Sequence, residues 1–599
     1  MVLPAGMLPR MRYLMPLAAM LVVTSIIACS VVATEIHVSP KPLPGIDASA
    51  QARTITDALK RVPAGGTIII HGGVYREAVT ITTGGTAGKP LTIKAAFGER
   101  VVITGADPIT DWKREDSREH IYSAPWPHRF IGWTKTMTHP DDDYHLLIGR
   151  CEQVFADGYL LRQVLSRDKL SRGTFFADTE GKRLFVWTSD NADLAKERKT
   201  RIEASVRPVM LKSKADHVQI RGIRFRYAAN RAQESAVSIE GKHNVLEDCI
   251  VEHTNSIGAG FDGAENAIIR RCTFQYNGQM GFGASHAHNL LMTECMTRGN
   301  NTKGWNRNWE AGGDKIAFCR GLVIEKSQFV ENRGAGIWFD IANEQCIVRN
   351  CLIADNEHAG IFYEISYSLH AHDNVIVGNG FDADGGAWGA SAGIAISSSP
   401  QCVVERNILV GNKEGFAYRE QYRSTPRLGK KEDDGEPVWN HDQTVRNNIL
   451  AFNRDAQVWG WFDQDDNRQW PAAMQSSLPK QKGRAALDMA AEYQARSREG
   501  HPTAATLEKL NLSHSNNLFF AAPGQGLFNW GVGWGHNRKY PSLDDVRREL
   551  NLEAASVVAD PCMRDFLTRD FRVPAGSAAI KLGAYPRGEV PGVQLGTGD

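Results

Sequence analysis

Along the middle of the chain, apolar and polar positions recur with a period near 23 residues. The repeated segments are NVLEDCIVEHTN, NAIIRRCTFQYN, NLLMTECMTRGN, GLVIEKSQFVEN, QCIVRNCLIADN, LHAHDNVIVGN, QCVVERNILVGN and QTVRNNILAFN. They close on Asn255, Asn277, Asn300, Asn332, Asn356, Asn379, Asn412 and Asn453, mostly 22 to 24 residues apart. The larger intervals of 32, 33 and 41 fit one unit carrying an inserted loop. Five positions before most of these asparagines stands a small or polar residue: Cys272, Cys295, Ser327, Cys351, Asn374, Asn407 and Asn448. A unit this short cannot bury its own apolar face, so neighbouring units must stack. Each holds short alternating stretches such as CLIAD and GIWFD, which read as strands. Leucine-rich repeats share the length, but their leucine-asparagine consensus is missing. The pattern therefore predicts an all-β chain wound as a right-handed parallel β-helix, with asparagine laddering at a repeated bend.

The flanks fit this frame. ITDALKRV predicts a short amphipathic helix capping the open end of the coil. GTIIIHGGVYREAVTI and KPLTIKAAFGERVVITG supply early coils, so residues 34–106 form the amino-terminal part. Between 107 and 205 the repeat vanishes, and EQVFADGYLLRQV and GTFFADTEGKRLFVWTS read as antiparallel hairpins of an inserted β-sandwich. The main coil runs from 206 to 460. Residues 461–599 form an extension containing the helical stretch GRAALDMAAEYQARSR and a tail, AIKLGAYPRGEVPGVQLG, expected to close the far end.

Charge narrows the partners. Lys and Arg number 69 and Asp and Glu 68, a formal net charge of +1 that offers no field for nucleic acid or an anionic membrane. Residues 1–33 read as a signal peptide: Arg10 and Arg12, an apolar Leu14 to Ala28, and the small-residue site Val31-Val32-Ala33. The segment Ile26-Ile27-Ala28-Cys29 also matches a lipoprotein signal, with Cys29 as the lipidated residue. Either way the chain is expected to be exported, to the periplasm or beyond, and nothing later in it is long and apolar enough to span a bilayer. Ten cysteines, several in the repeat register and none in a Cys-x-x-Cys pair, are expected as buried small hydrophobes.

One pair of residues carries chemistry. AGIWFD ends at Asp340 and AGIFYE at Glu364, 24 residues apart, so the two segments are one strand on successive coils. Alternation sets Trp338 and Asp340 on one face with Phe362 and Glu364, and stacked strands put the carboxyls roughly 5 Å apart. That separation suits a retaining glycosidase, which needs two carboxyls about 5–5.5 Å apart. Exposed acids are commonplace, but like charges directly opposite on neighbouring strands destabilise a sheet unless they are used. A bound calcium is the alternative use. Trp338 and Phe362 are candidates for a sugar-stacking platform. In NWEAGGDKIAF, Trp309, Glu310, Asp314 and Lys315 are candidates to tune the pair or orient sugar hydroxyls. His286/His288 and His370/His372 are expected as polar rim residues, without a third ligand for a metal.

EAGGDKIAF, GIWFD and FYEISYSLHAHDN, in that order, resemble the core of the glycoside hydrolase family 120 β-xylosidases over Glu310 to Asn379. The resemblance implies a pectate-lyase-like β-helix interrupted by a β-sandwich. It also implies Asp340 as nucleophile, Glu364 as acid/base and Glu310 as a further active-site glutamate. Two stretches depart from the family: Ile341-Ala342-Asn343-Glu344 after Asp340, and Tyr367-Ser368-Leu369 after Glu364. Both are expected to shape the sugar pocket, so the resemblance implies xylose less firmly than it implies the catalytic pair. The expected function is retaining hydrolysis of a plant-type poly- or oligosaccharide, with insertions at 301–315 and 381–391 favouring exo action. Two alternatives stand beside it: a polysaccharide lyase using Lys315 and Arg349, with the acids holding calcium, and a non-catalytic carbohydrate-binding surface protein.

Overall fold

The computed structural model describes residues 35–115, 120–130, 145–196, 201–381, 391–431, 434–462, 469–477, 484–502, 506–531 and 536–585. The amino-terminal segment with Cys29 and most of the 381–391 insertion lie outside these residues. The chain is a right-handed parallel β-helix built on three long sheets of 14, 13 and 13 strands. Each coil gives one strand to each sheet. One coil, for example, runs through Ile337–Asp340 of the third sheet, Ile347–Arg349 of the first and Leu352–Ala354 of the second before Ile361–Glu364 begins the next. Alternation turns Ile337, Phe339, Val348, Ile353, Ile361 and Tyr363 inward, where they join one continuous core along the axis. The corners use left-handed backbone at polar residues such as Asn350, Asp355 and Asp373, a conformation that Asn and Asp tolerate best among non-glycine residues.

Inside the bends the asparagines form ladders. The Asn332 backbone N–H and its Nδ2 both donate to Asn356 Oδ1, at 3.1 and 2.9 Å. The same link repeats from Asn277 to Asn453. A second ladder starts at sulfur, with the Cys272 N–H donating to Cys295 Sγ, and continues as asparagine through Asn374, Asn407, Asn448 and Asn517. The first coil slips by one residue: the Thr254 N–H and hydroxyl meet Asn277 Oδ1, while Asn255 turns its Nδ2 to the Asn230 carbonyl. All nine described cysteines are free, and all but Cys562 are buried.

The 107–205 region contains a five-stranded and a four-stranded sheet whose facing residues share a core of Tyr122, Trp126, Val154, Phe175, Leu184, Val186 and Ile202. The coil passes beneath it without a break, since Val101–Thr104 pairs directly with Ile223–Arg226. At the amino-terminal end, helix Ile55–Arg61 buries Ile55 and Ala58 against the first strands. At the far end the expectation needs correcting. Helix Leu543–Leu550 inserts Leu543, Val546 and Leu550 into the axial core there. The described part of the tail, with Ala579, Ala584 and Tyr585, instead lies along the outside of the second sheet against Leu352, Val375, Ile408, Ile449 and Leu518. Those outward positions are apolar and need cover, which the tail provides.

Candidate functional site

Asp340 and Glu364 are direct partners in the third sheet, in register Trp338↔Phe362, Phe339↔Tyr363 and Asp340↔Glu364. Their side chains leave the core face, because Phe339 and Tyr363 take it. Both are nevertheless buried, 7% and 6% exposed, so the outward face is roofed here. Neighbouring strands stand about 4.8 Å apart, which puts the two residues on adjacent rungs, with Asp340 turned to Lys315 on the coil before and Glu364 to Arg419 two coils after it.

Each acid has its own cation. Lys315, one coil earlier, reaches Asp340 Oδ2 at 2.9 Å and Glu310 Oε1 at 3.6 Å. Burial alone pulls the Lys315 ammonium down, but the Asp340 and Glu310 carboxylates outweigh it and hold the group above the usual lysine value. Asp340 Oδ1 is buried and has no partner among the described residues. On the other side, Glu364 Oε1 receives Arg419 Nη1 at 3.2 Å and Arg423 Nη1 at 2.9 Å. Arg419 belongs to the same outward column, Asp340–Glu364–Ser397–Arg419, each pair in register. Arg423 comes from outside the coil, on a hairpin of Arg423–Thr425 and Glu436–Val438. That hairpin is fixed by Val438 packing on Ile365 and Tyr367 and by Arg427 over the Tyr367 ring at 3.9 Å.

Sequence reasoning missed both arginines. Arg419 had a signal, since its register follows from the repeat. Arg423 had none, because its approach depends on how a non-repetitive hairpin folds back.

Three expected substrate contacts change. Asp314 does not face the site. It pairs with inward-facing Phe282, is fully buried, and accepts the Trp338 N–H at 2.9 Å. Adjacent strand residues point to opposite faces, so Lys315 and Asp314 cannot both line one pocket. Burial pushes the Asp314 carboxyl well above the usual range. Trp338 and Phe362 share the outward face but are not an open platform. They are 4% and 3% exposed, Lys315 Nζ sits over the Trp338 ring at 4.1 Å, and the Arg419 guanidinium lies over Phe362 at 5.6 Å. Their rings seat the two cations by cation–π contact. Trp309 stacks on Trp305 at 5.7 Å, in a patch with Ile148 of the inserted region and Ala232 and Ala311. Glu310, beside it, is held by Gln233.

The histidine pairs are engaged locally: His370 with Glu405, His372 with Asp373, His286 with Ser285. Among the described residues no cluster of three or more His, Cys, Asp or Glu side chains is arranged to hold a metal ion. No described helix is long and apolar enough to cross a membrane. A separate groove of about 470 Å³ on the second sheet, lined by Arg271, Glu294, Lys326 and Gln328, contains no in-register pair of acids.

A family model described as the right-handed β-helix region matches residues 235–409. No curated protein matches the chain. Among solved structures, XylC in complex with xylose is 16% identical over 84% of this chain and 86% of that one, with a TM-score of 0.60. A glycoside hydrolase is 12% identical over 72% of this chain and 93% of its own, with a TM-score of 0.37. The PL6 family polysaccharide lyase Pedsa3628 from Pseudopedobacter saltans is 11% identical over 90% and 97%, with a TM-score of 0.41. At these identities the likeness to XylC defines the fold, and the function must be argued from the site.

Proposed function

We propose that the chain is a glycoside hydrolase acting by retention, with Asp340 as nucleophile and Glu364 as acid/base, as the resemblance to the family 120 β-xylosidases implies. The observation that carries the reading is the in-register Asp340↔Glu364 pair on a roofed outward face. Residues on adjacent rungs, about 4.8 Å apart, suit the short carboxyl separation of double displacement better than the wider gap of inversion. Lys315 binds Asp340 through Oδ2 and orients the carboxylate that attacks the anomeric carbon. Both arginine contacts fall on Glu364 Oε1, leaving Oε2 outside those ion pairs to exchange a proton with the glycosidic oxygen. Water then cleaves the glycosyl ester with Glu364 acting as base. Glu310 acts through Lys315 on the charge of the pair. XylC was solved with xylose, and a xylose-like sugar in exo action is the first substrate to try.

A calcium-dependent lyase fits less well. The positions where calcium would meet Asp340 and Glu364 are already faced by the Lys315 ammonium and the Arg419 and Arg423 guanidiniums. The test is a panel of aryl glycosides (xyloside, arabinofuranoside, fucoside, galactoside) with xylan and pectin digests, following aglycone, reducing ends and ultraviolet absorbance together. Aglycone release that Asp340→Ala and Glu364→Ala both abolish, each with unchanged circular dichroism, is the expected result. Full activity in either variant, or an ultraviolet rise in place of aglycone, would overturn the assignment.

A further inference from the structure

The cations around the site are not shared evenly. At one end a single ammonium, Lys315, faces two carboxylates, Asp340 and Glu310. At the other end Glu364 alone faces two guanidiniums, Arg419 and Arg423. Four residues beyond Asp340, Glu344 also faces two guanidiniums, Arg320 at 3.0 Å and Arg427 at 3.3 Å, and it accepts the Leu428 N–H at 3.1 Å. The Glu364 end of the pair thus carries two guanidiniums on one carboxylate, against one ammonium on two carboxylates at the Asp340 end.

The two arginines on Glu364 differ in setting. The Arg419 side chain is 6% exposed and seated on Phe362, so it is a fixed partner. The Arg423 side chain is 34% exposed, stands on the hairpin at the rim, and gives Glu364 a single N–H. A guanidinium carries five N–H donors in a planar fork suited to a second carboxylate. Arg427 holds the hairpin in place through Tyr367 and Glu344, so that fork is prepositioned.

We infer that Arg423 is a specificity-determining residue that receives the carboxylate of an acidic sugar, a uronate, bound on the Glu364 side of the cleavage point. The inference rests on the proposed hydrolase reading, in which the acid/base marks the leaving-group side. The substrate is then a glycoside whose leaving group begins with a uronate unit. Arg419 keeps Glu364 neutralised while Arg423 turns its remaining donors to the incoming carboxylate. No bond is made or broken at Arg423, and the uronate leaves as the first product.

The experiment is calorimetric titration of the full-length protein with D-galacturonate and D-glucuronate against D-galactose and D-glucose, at low and high salt. A uronate should bind at least about tenfold more tightly than its neutral counterpart, a difference of about 1.4 kcal/mol. The preference should shrink with salt and be lost in Arg423→Gln, with Arg423→Lys retaining part of it. Equal binding of acidic and neutral sugars by the unmodified protein overturns the inference whatever the variants do. Failure of the hydrolase reading looks different: no aglycone from any aryl glycoside, whatever the uronate affinity.

Discussion

Glu414 opens the strand Glu414–Glu420 and pairs in register with Ala392, which packs among Trp338, Phe362, Ala395 and Ala417. Its Oε2 accepts the Ser391 hydroxyl at 2.9 Å, while Oε1 is buried with no partner among the described residues. Burial raises this carboxyl from its ordinary 4.5 to about 7, against the opposing pull of Lys413. The folded state therefore holds a proton that the unfolded chain gives up above about pH 4.5. Stability contributed by this group is full below that value and declines as pH climbs toward 7, by roughly 3 kcal/mol at about 1.4 kcal/mol per pH unit. Glu414→Gln keeps the shape and removes the titration. Urea midpoints measured from pH 5 to 7.5 should fall for the unmodified protein and stay flatter for the variant. Parallel curves would mean that Glu414 is solvated or paired in solution. By contrast, the Asp340 and Glu364 side chains, equally buried, are matched by Lys315, Arg419 and Arg423.

At the level of the element, the asparagine ladder replaces what a helix or hairpin would do locally. Asn356 donates its N–H and Nδ2 to Asn379 Oδ1, donates Nδ2 to the Phe329 carbonyl, and accepts two bonds from Asn332. Replacing it with leucine leaves several buried donors and acceptors unmatched, at about 1–3 kcal/mol each. Asn356→Leu is expected to cost at least about 3 kcal/mol, whereas Asn255→Ala, off the ladder, should cost far less. Urea unfolding of both variants checks this, and a loss below about 1 kcal/mol for Asn356→Leu would sink the ladder as an energetic element. The same period made the fold and the carboxyl pair readable from sequence, because a repeat turns spacing into register. It misled wherever position within the strand mattered more than proximity in the chain. Asp314 and Lys315 are adjacent and belong to opposite faces. Asn255 has the right identity one residue out of phase, with Thr254 in its place. The rings of Trp338 and Phe362 were rightly set beside the acids, yet sequence could not foresee that lysine and arginine would sit over them. Arg423 was invisible, since nothing periodic brings its hairpin back to the coil.

In the whole molecule, the inserted sandwich is joined to the coil at its entry and exit strands, stacks Phe155 on Tyr227 of the coil at 3.6 Å, and leans on it again beside Glu310. Its entry and exit strands pair as Asp107↔Ala204 and Ala106↔Ser205, so the ends of the excursion already lie side by side. The coil strands on either side bond to each other, not to the sandwich core. The last of these contacts lies beside the Trp309–Glu310 segment. Ile148 packs with Trp305, Trp309 and Ala311, and Lys303 donates to the Leu147 carbonyl at 3.2 Å and to the Arg150 carbonyl. Burial draws the Lys303 ammonium down to about 8, so this anchor is a desolvated cation held by carbonyl groups of the insertion. The segment it anchors leads directly to Glu310 and Lys315. Removing residues 108–203 and joining Asp107 to Ala204 through Gly-Gly closes a short hairpin in the existing register. The β-helix should then fold with unchanged far-ultraviolet circular dichroism and a cooperative urea transition. With its anchor gone, the segment carrying Glu310 and Lys315 shifts, and kcat/KM on the best aryl glycoside should fall by about 10²-fold, as expected for small misplacements of catalytic groups. A protein that cannot fold without the sandwich would make the insertion part of the coil's own stability. Full activity would mean that the Lys303 and Ile148 contacts have no hold on the site.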